Sequence, residues 1–226
     1  MPSKTFYPDA DPETKSVDGL VGHQITASGG GTWAALIASP GNVSYDSVAT
    51  WGPVTWRADT TTDKWDMLYR GVYLFDTSSI PNNARIISAI LSIYGVRKEN
   101  PGSIANIKVN VYSAAPASNV ALADGDFDSL GATPLSDTDI AYDDWSLTGY
   151  NDFILNAAGR AAISKTGITK LGIREVTYDV GGAIPTPWGS NERMYVYGYM
   201  AEQGGVYRPK LVVTYEGGSE HIAVSG

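Results

Sequence analysis

The chain has 226 residues, 43% of them hydrophobic, with 14 Tyr, 6 Trp and no Cys. That is enough apolar material for a sizeable core and excludes disulfides, thiolate chemistry and zinc–cysteine sites. With 16 Lys and Arg against 24 Asp and Glu, the formal charge of −8 opposes binding to phosphate backbones, so no nucleic-acid partner is expected.

In chain order, residues 4–8 predict a short first strand, followed by a turn rich in carboxylates and prolines. The pattern is weak from Ser16 to Ile25, and Ser28–Gly31 (SGGG) reads as a flexible loop lacking the Lys-Ser/Thr of a phosphate cradle. Trp33–Ile37 (WAALI) predicts a strand. Val48–Arg57, with Gly52-Pro53 between Trp51 and Trp56, predicts an edge strand broken by a bulge or turn.

The stretch Tyr69–Tyr94 holds two apolar runs separated by Asp76–Ser79 and Pro81–Asn83, and reads as the central strand pair of a β-sandwich. Val96–Gly102 reads as a loop, Ile104–Tyr112 as a half-buried alternating strand, and residues 113–148 as the least regular part. Tyr150–Leu155 predicts a strand. Asn156–Lys165 predicts the one helix, capped by Asn156. Ile168–Val176, Met194–Met200 and Lys210–Tyr215 supply the last strands. The expected fold is therefore all-β, a jelly-roll-like β-sandwich with about ten to twelve strands and one short helix. One domain is expected over residues 1–216, followed by a tail over 217–226.

The blocks RGVYLFD, TSSIPNNARIISAILSIYG and RPKLVVTY resemble those of DNRLRE-type domains, which are related to β-sandwich carbohydrate-binding modules. The likeness covers Arg70–Gly95 and Arg208–Tyr215. It implies a sandwich of the kind found in glycan-active surface enzymes, adhesins and phage structural proteins. The tag that names those domains is not evident in this chain.

Asp124, Asp126 and Asp128 flank Gly125 and are spaced to converge on a hard cation, so a structural Ca²⁺ is weighed against a plain acidic loop. Asp137, Asp139, Asp143 and Asp144 form a second acidic patch. His23 and His221 stand alone, and no GxSxG, HExxH or phosphate-binding loop occurs. The many loop carboxylates single out no acid–base pair of the kind glycoside cleavage requires. Trp33 and Trp56 read as core. Trp51, Trp65, Trp145 and Trp188 lie beside loop residues, where they form either a sugar-stacking platform or more core and interface.

No basic n-region with an apolar h-region opens the sequence, and no stretch reaches the roughly 18 apolar residues of a membrane helix. These features predict a non-enzymatic structural or attachment protein: an accessory virion protein, capsid decoration or tail component, acting as a homo-oligomer or with other virion proteins. The expected location is the virion or an extracellular surface, without membrane insertion. The alternative is a carbohydrate-binding module recognising a glycan through loop aromatics.

Overall fold

The computed structural model describes residues 1–217, so most of the expected tail, and His221 with it, lies outside the described residues. Twelve strands form: β1 (Ser3–Phe6), β2 (Asp18–Gln24), β3 (Val43–Tyr45), β4 (Thr50–Ala58), β5 (Trp65–Asp76), β6 (Arg85–Glu99), β7 (Lys108–Ser113), β8 (Ile140–Ala141), β9 (Tyr150–Ile154), β10 (Ile168–Glu175), β11 (Arg193–Tyr199) and β12 (Lys210–Glu216). They join in one curled antiparallel sheet in the order β1-β12-β6-β11-β4-β5-β10-β7-β8, with β2 and β3 branching from β5 and β9 from β6. The architecture is all-β, as the spacing of turn signals predicted. No helix among the described residues is long and apolar enough to cross a membrane.

Among the described residues two short α-helices accompany the strands, α1 (Trp33–Ala38) and α2 (Ala157–Ala161). Asn156 caps α2 as predicted, accepting from the Gly159 amide at 2.9 Å. The expected strand at Trp33 is instead α1. A five-residue apolar run has no decisive period, and here Thr32 tips it, its Oγ1 accepting from the Ala35 amide at 3.2 Å while Trp33 and Leu36 turn inward together.

The two runs of the Tyr69–Tyr94 stretch do form strands, but they are not hydrogen-bonded to each other. β5 pairs with β2, β4 and β10, whereas β6 pairs with β9, β11 and β12. Two successive turns, Ile80 N–H to Thr77 O at 3.0 Å and Ala84 N–H to Pro81 O at 2.9 Å, carry the chain from one part of the sheet to another. β6 also continues through Val96–Glu99, where a loop was expected, because β11 pairs with that end.

β4 is an interior strand, not an edge, lying between β11 and β5. The expected bulge is present. Val196 faces Val54 and Gly198 faces Trp51, so Gly52 and Pro53 share one partner position, and the ladder to β5 begins only at Val54. Pro53 thus sits where no ladder N–H is demanded.

β5 is buried from Trp65 to Phe75. Trp33 packs edge-on against Trp56 and Trp65, each at 5.7 Å between ring centroids, and its Nε1 donates to Tyr178 O at 3.0 Å. A smaller cluster of Leu20, Met67 and Tyr69 is covered by Val43, Tyr45 and Trp51.

Candidate recognition surface

β11 reads Arg-Met-Tyr-Val-Tyr-Gly-Tyr, and its period of two assigns the faces. Met194 and Val196 enter the main core, which sets Tyr195, Tyr197 and Tyr199 on the opposite side. Gly198 is required where it stands, because a Cβ there would lie 2.5 Å from Ile93 Cγ2 on β6. From Tyr199 the tyrosines continue onto neighbouring elements. Tyr94 of β6 faces Tyr150 of β9 in register, and the 3₁₀ turn Gly205–Tyr207 brings the Tyr207 ring against Tyr94 and Tyr199.

Ring centroids are 4.0 Å apart for Tyr195 and Tyr197, 5.2 Å for Tyr199 and Tyr207, 4.9 Å for Tyr207 and Tyr94, and 5.3 Å for Tyr94 and Tyr150. Tyr94, Tyr150, Tyr197 and Tyr199 are half-buried, and Tyr207 is exposed. Next to Tyr207, Val206 is 75% exposed, and further along the Tyr150 face of β9 Ile154 is 66% exposed.

Cations flank this stripe in a chain that is acidic as a whole. Lys210 Nζ lies 3.7 Å from the Tyr150 ring, Arg97 Cζ 5.3 Å from Tyr195 and Arg208 Cζ 4.3 Å from Tyr7. At the β11–β6 end a shallow depression of about 290 Å³ is lined by Arg57, Arg97, Glu99, Arg193, Tyr195 and Tyr197. Burial and the adjacent Glu99 carboxylate push the Tyr195 hydroxyl up to about 12, so at neutral pH it stays a neutral hydrogen-bond donor.

Two of the four predicted platform tryptophans are core. Trp65 is 3% exposed, packed on Trp33, and Trp145 is 2% exposed with Nε1 donating to Tyr197 O at 3.3 Å. Neither presents a ring face to solvent, since an indole among loop residues still covers the sheet beneath it. Trp188 is half-buried against the main core and donates to Lys64 O at 3.0 Å. Trp51 is half-buried and stacks on Tyr45 at 5.2 Å with 15° between planes. Trp33 and Trp56 are in the core, as read from the sequence.

The three aspartates weighed as calcium ligands do not converge. Asp124 accepts from Ser44 Oγ at 2.8 Å, Asp128 from the Gly41 amide at 3.3 Å, and Asp126 from the amides of Ala117 and Ala123 at 2.9 and 2.8 Å. Residues 124–129 form a 3₁₀ helix, which points these side chains toward different protein donors. Among the described residues no group of three His, Asp or Glu side chains is placed to hold a metal. In the second acidic patch, Asp137 and Asp139 accept from Asn156 and Asn110 at 3.1 and 2.7 Å. His23 Nδ1 lies 2.6 Å from Pro40 O.

Sequence reasoning missed the tyrosine stripe and a buried ionic centre. In the latter, Asp179 sits between Arg70 and Arg174, beside buried Glu175. The stripe's signal was present, a tyrosine at every second position of a strand, but its continuation onto Tyr94, Tyr150 and Tyr207 depends on strand pairing. Comparison with known proteins finds no family model and no curated protein that the chain matches.

Proposed function

We propose that the protein is a non-enzymatic attachment or assembly protein that works by laying its tyrosine stripe against a partner surface. The accessory virion role expected from the sequence is one form of that activity. One observation carries the reading: Tyr94, Tyr150, Tyr199 and Tyr207, four tyrosines from four elements, form a chain of ring contacts, with exposed Val206 next to Tyr207 and Lys210 over Tyr150. Tyrosine and arginine are the side chains that dominate protein-contact energetics, because each covers a large area and keeps a polar tip satisfied.

Light scattering over a concentration series tests it. Wild type associates with itself or joins a larger particle, and Val206→Ser with Tyr207→Ser, both exposed, weakens that association by about tenfold or more without unfolding. A wild type that stays monomeric at every concentration and joins no particle overturns the proposal.

A second reading, carbohydrate recognition, is favoured by the half-buried Trp51 stacked on Tyr45 and by the resemblance noted above. Affinity electrophoresis with Trp51→Ala separates the two readings, because only glycan binding requires retardation that this substitution abolishes.

A further inference from the structure

Residues 200–208 carry Val206 and Tyr207 to the stripe, and their near end rests on a nest of acids. Asp18 of β2 is fully buried and accepts from the Ala201 amide at 3.1 and 3.3 Å. Next to it Glu202 Oε1 accepts from the Asp11 amide at 3.3 Å. Four more oxygens in this region are buried without any hydrogen-bond partner: Glu202 Oε2, Glu13 Oε1, Ser16 Oγ and Tyr73 OH. Tyr73 is the cross-strand neighbour of Asp18.

The groups acting on the nest are acids and hydroxyls from every side. Asp9, Asp11 and Glu13 come from the N-terminal segment, Asp46 from after β3, Tyr73 from β5 and Glu202 from the loop itself. The neighbouring Lys15 is paired with Asp76 at 3.3 Å, and Arg208 turns its guanidinium onto Tyr7. Buried carboxylate without a counter-charge is strongly unfavourable, and a shared proton relieves it. Among the described residues no three carboxylates are placed together to chelate a metal, and a proton on a buried carboxyl removes the charge that burial penalises.

The far end of the loop turns on two glycines. Gly204 and Gly205 take φ of 68° and 59°, a left-handed pair that glycine adopts without strain. Beyond them the loop is held by the Tyr150 hydroxyl, which donates to Val206 O and to Arg208 O, and by the Tyr207 ring on Tyr94 and Tyr199.

We infer that the Asp18 nest is a proton-operated latch: protonated, it holds residues 200–208 down and keeps Tyr207 in the stripe; ionised, it loosens the loop and withdraws Tyr207. Burial raises Asp18 well above the usual carboxylate range, with the Glu202 charge adding to it, and Glu13 and Glu202 are raised for the same first reason. Groups raised in the docked state bind more protons there than in the loosened one. Docking is therefore complete at acid pH and is lost as pH rises through their titration. The functional meaning rests on the stripe being the recognition surface. The latch itself is a property of the isolated chain.

Hydrogen-exchange protection factors, corrected for intrinsic base catalysis, test it on the amides of Ala201, Gln203 and Gly204 at about pH 5 and about pH 8. Wild type loses about tenfold or more in protection between the two, the equivalent of one pKa unit of linkage, while Asp18→Asn, which keeps an acceptor without the charge, stays level. Equal protection in the wild type at both pH values, or a drop in Asp18→Asn as large as the wild type's, overturns the latch. If circular dichroism shows Asp18→Asn unfolded, Asp18→Ser, which also keeps an acceptor without the charge, takes its place, and a full wild-type drop there overturns it equally. This readout is independent of association, so failure of the latch and failure of the proposed function are told apart.

Discussion

Arg70 grips Asp179 by both carboxylate oxygens, Nε to Oδ2 at 2.9 Å and Nη2 to Oδ1 at 2.6 Å, with the aspartate side chain only 1% exposed. Arg174 takes the same two oxygens from another side at 2.9 and 2.8 Å. The spare guanidinium donors go to Phe127 O and Gly131 O, each at 2.9 Å, and Arg70 Cζ lies 3.7 Å over the Phe127 ring. Strands β5 and β10 are thus tied to the 3₁₀ helix at 124–129 and to the turn at 176–180 by one saturated polar node.

Removing one member of this node leaves buried charge uncompensated. Asp179→Ala is expected to lower the unfolding free energy by about 3–5 kcal/mol, measured by urea denaturation. Burial works to raise the carboxyl, but the bonds from Arg174 and the charge of Arg70 prevail and hold Asp179 below its ordinary value. Its contribution is present at neutral pH and disappears as pH falls through that depressed range.

Glu175 behaves in the opposite sense. Its burial outweighs the amides of Tyr178, Lys108 and Asp179 that point at it and raises its pKa to about 7. The folded state therefore favours the protonated acid, so this residue's share of stability is complete below about pH 4.5 and is lost as pH rises through 7. At about 1.4 kcal/mol per pKa unit, the loss is on the order of 3 kcal/mol. Denaturation midpoints of wild type and Glu175→Gln measured across that window should converge at acid pH, with only the wild type declining toward pH 8. Parallel curves would remove the assignment.

Gly95 sits where β6 passes beneath the loop leading to β9. A Cβ there would lie 1.9 Å from Ser146 O and 2.7 Å from Trp145 Nε1. Backbone cannot yield as a side chain can, so Gly95→Ala is expected to cost about 4 kcal/mol or more. Gly149→Ala, whose new atom would meet only Ser146 Oγ at 3.3 Å, is the control and should leave the thermal midpoint close to that of wild type.

Trp145 and Trp51 separate stability from recognition. Trp145→Ala empties a fully enclosed site and is expected to destabilise by about 3–5 kcal/mol. Trp51→Ala, trimming a half-buried ring over the smaller cluster, should cost less than half of that in the same urea titration. Equal losses would place Trp51 in the structural core and withdraw the observation behind the carbohydrate reading.

Periodicity told more about which segments are strands than about their neighbours. The alternation in Ile104–Tyr112 and the apolar runs of Tyr69–Tyr94 announced strands that are present, the first of them only from Lys108 on. The same residues gave no sign that β5 and β6 would part company and pair elsewhere. Segment β2 escaped notice because Gly19 and Gly22 interrupt its apolar pattern. A Cβ at Gly22 would collide with the Tyr69 ring at 2.0 Å, a contact 47 positions away. Whether Trp65 and Trp145 form a platform or core stayed open in the sequence for a related reason: burial of an aromatic beside Gly, Pro or Asp is decided by what packs over it.

By itself the amino-acid sequence determined an all-β chain with an aromatic and aliphatic core, an Asn-capped helix at 156 and a surface of negative charge, because propensity, alternation and capping act over a few neighbouring residues. Only the tertiary structure decided that tyrosines from β6, β9, β11 and the 205–207 turn form one stripe, that Asp179 lies between two arginines, and that Asp18 meets the Ala201 amide. Those contacts are made by strand pairings between distant segments, and no local physical preference encodes the distance they span.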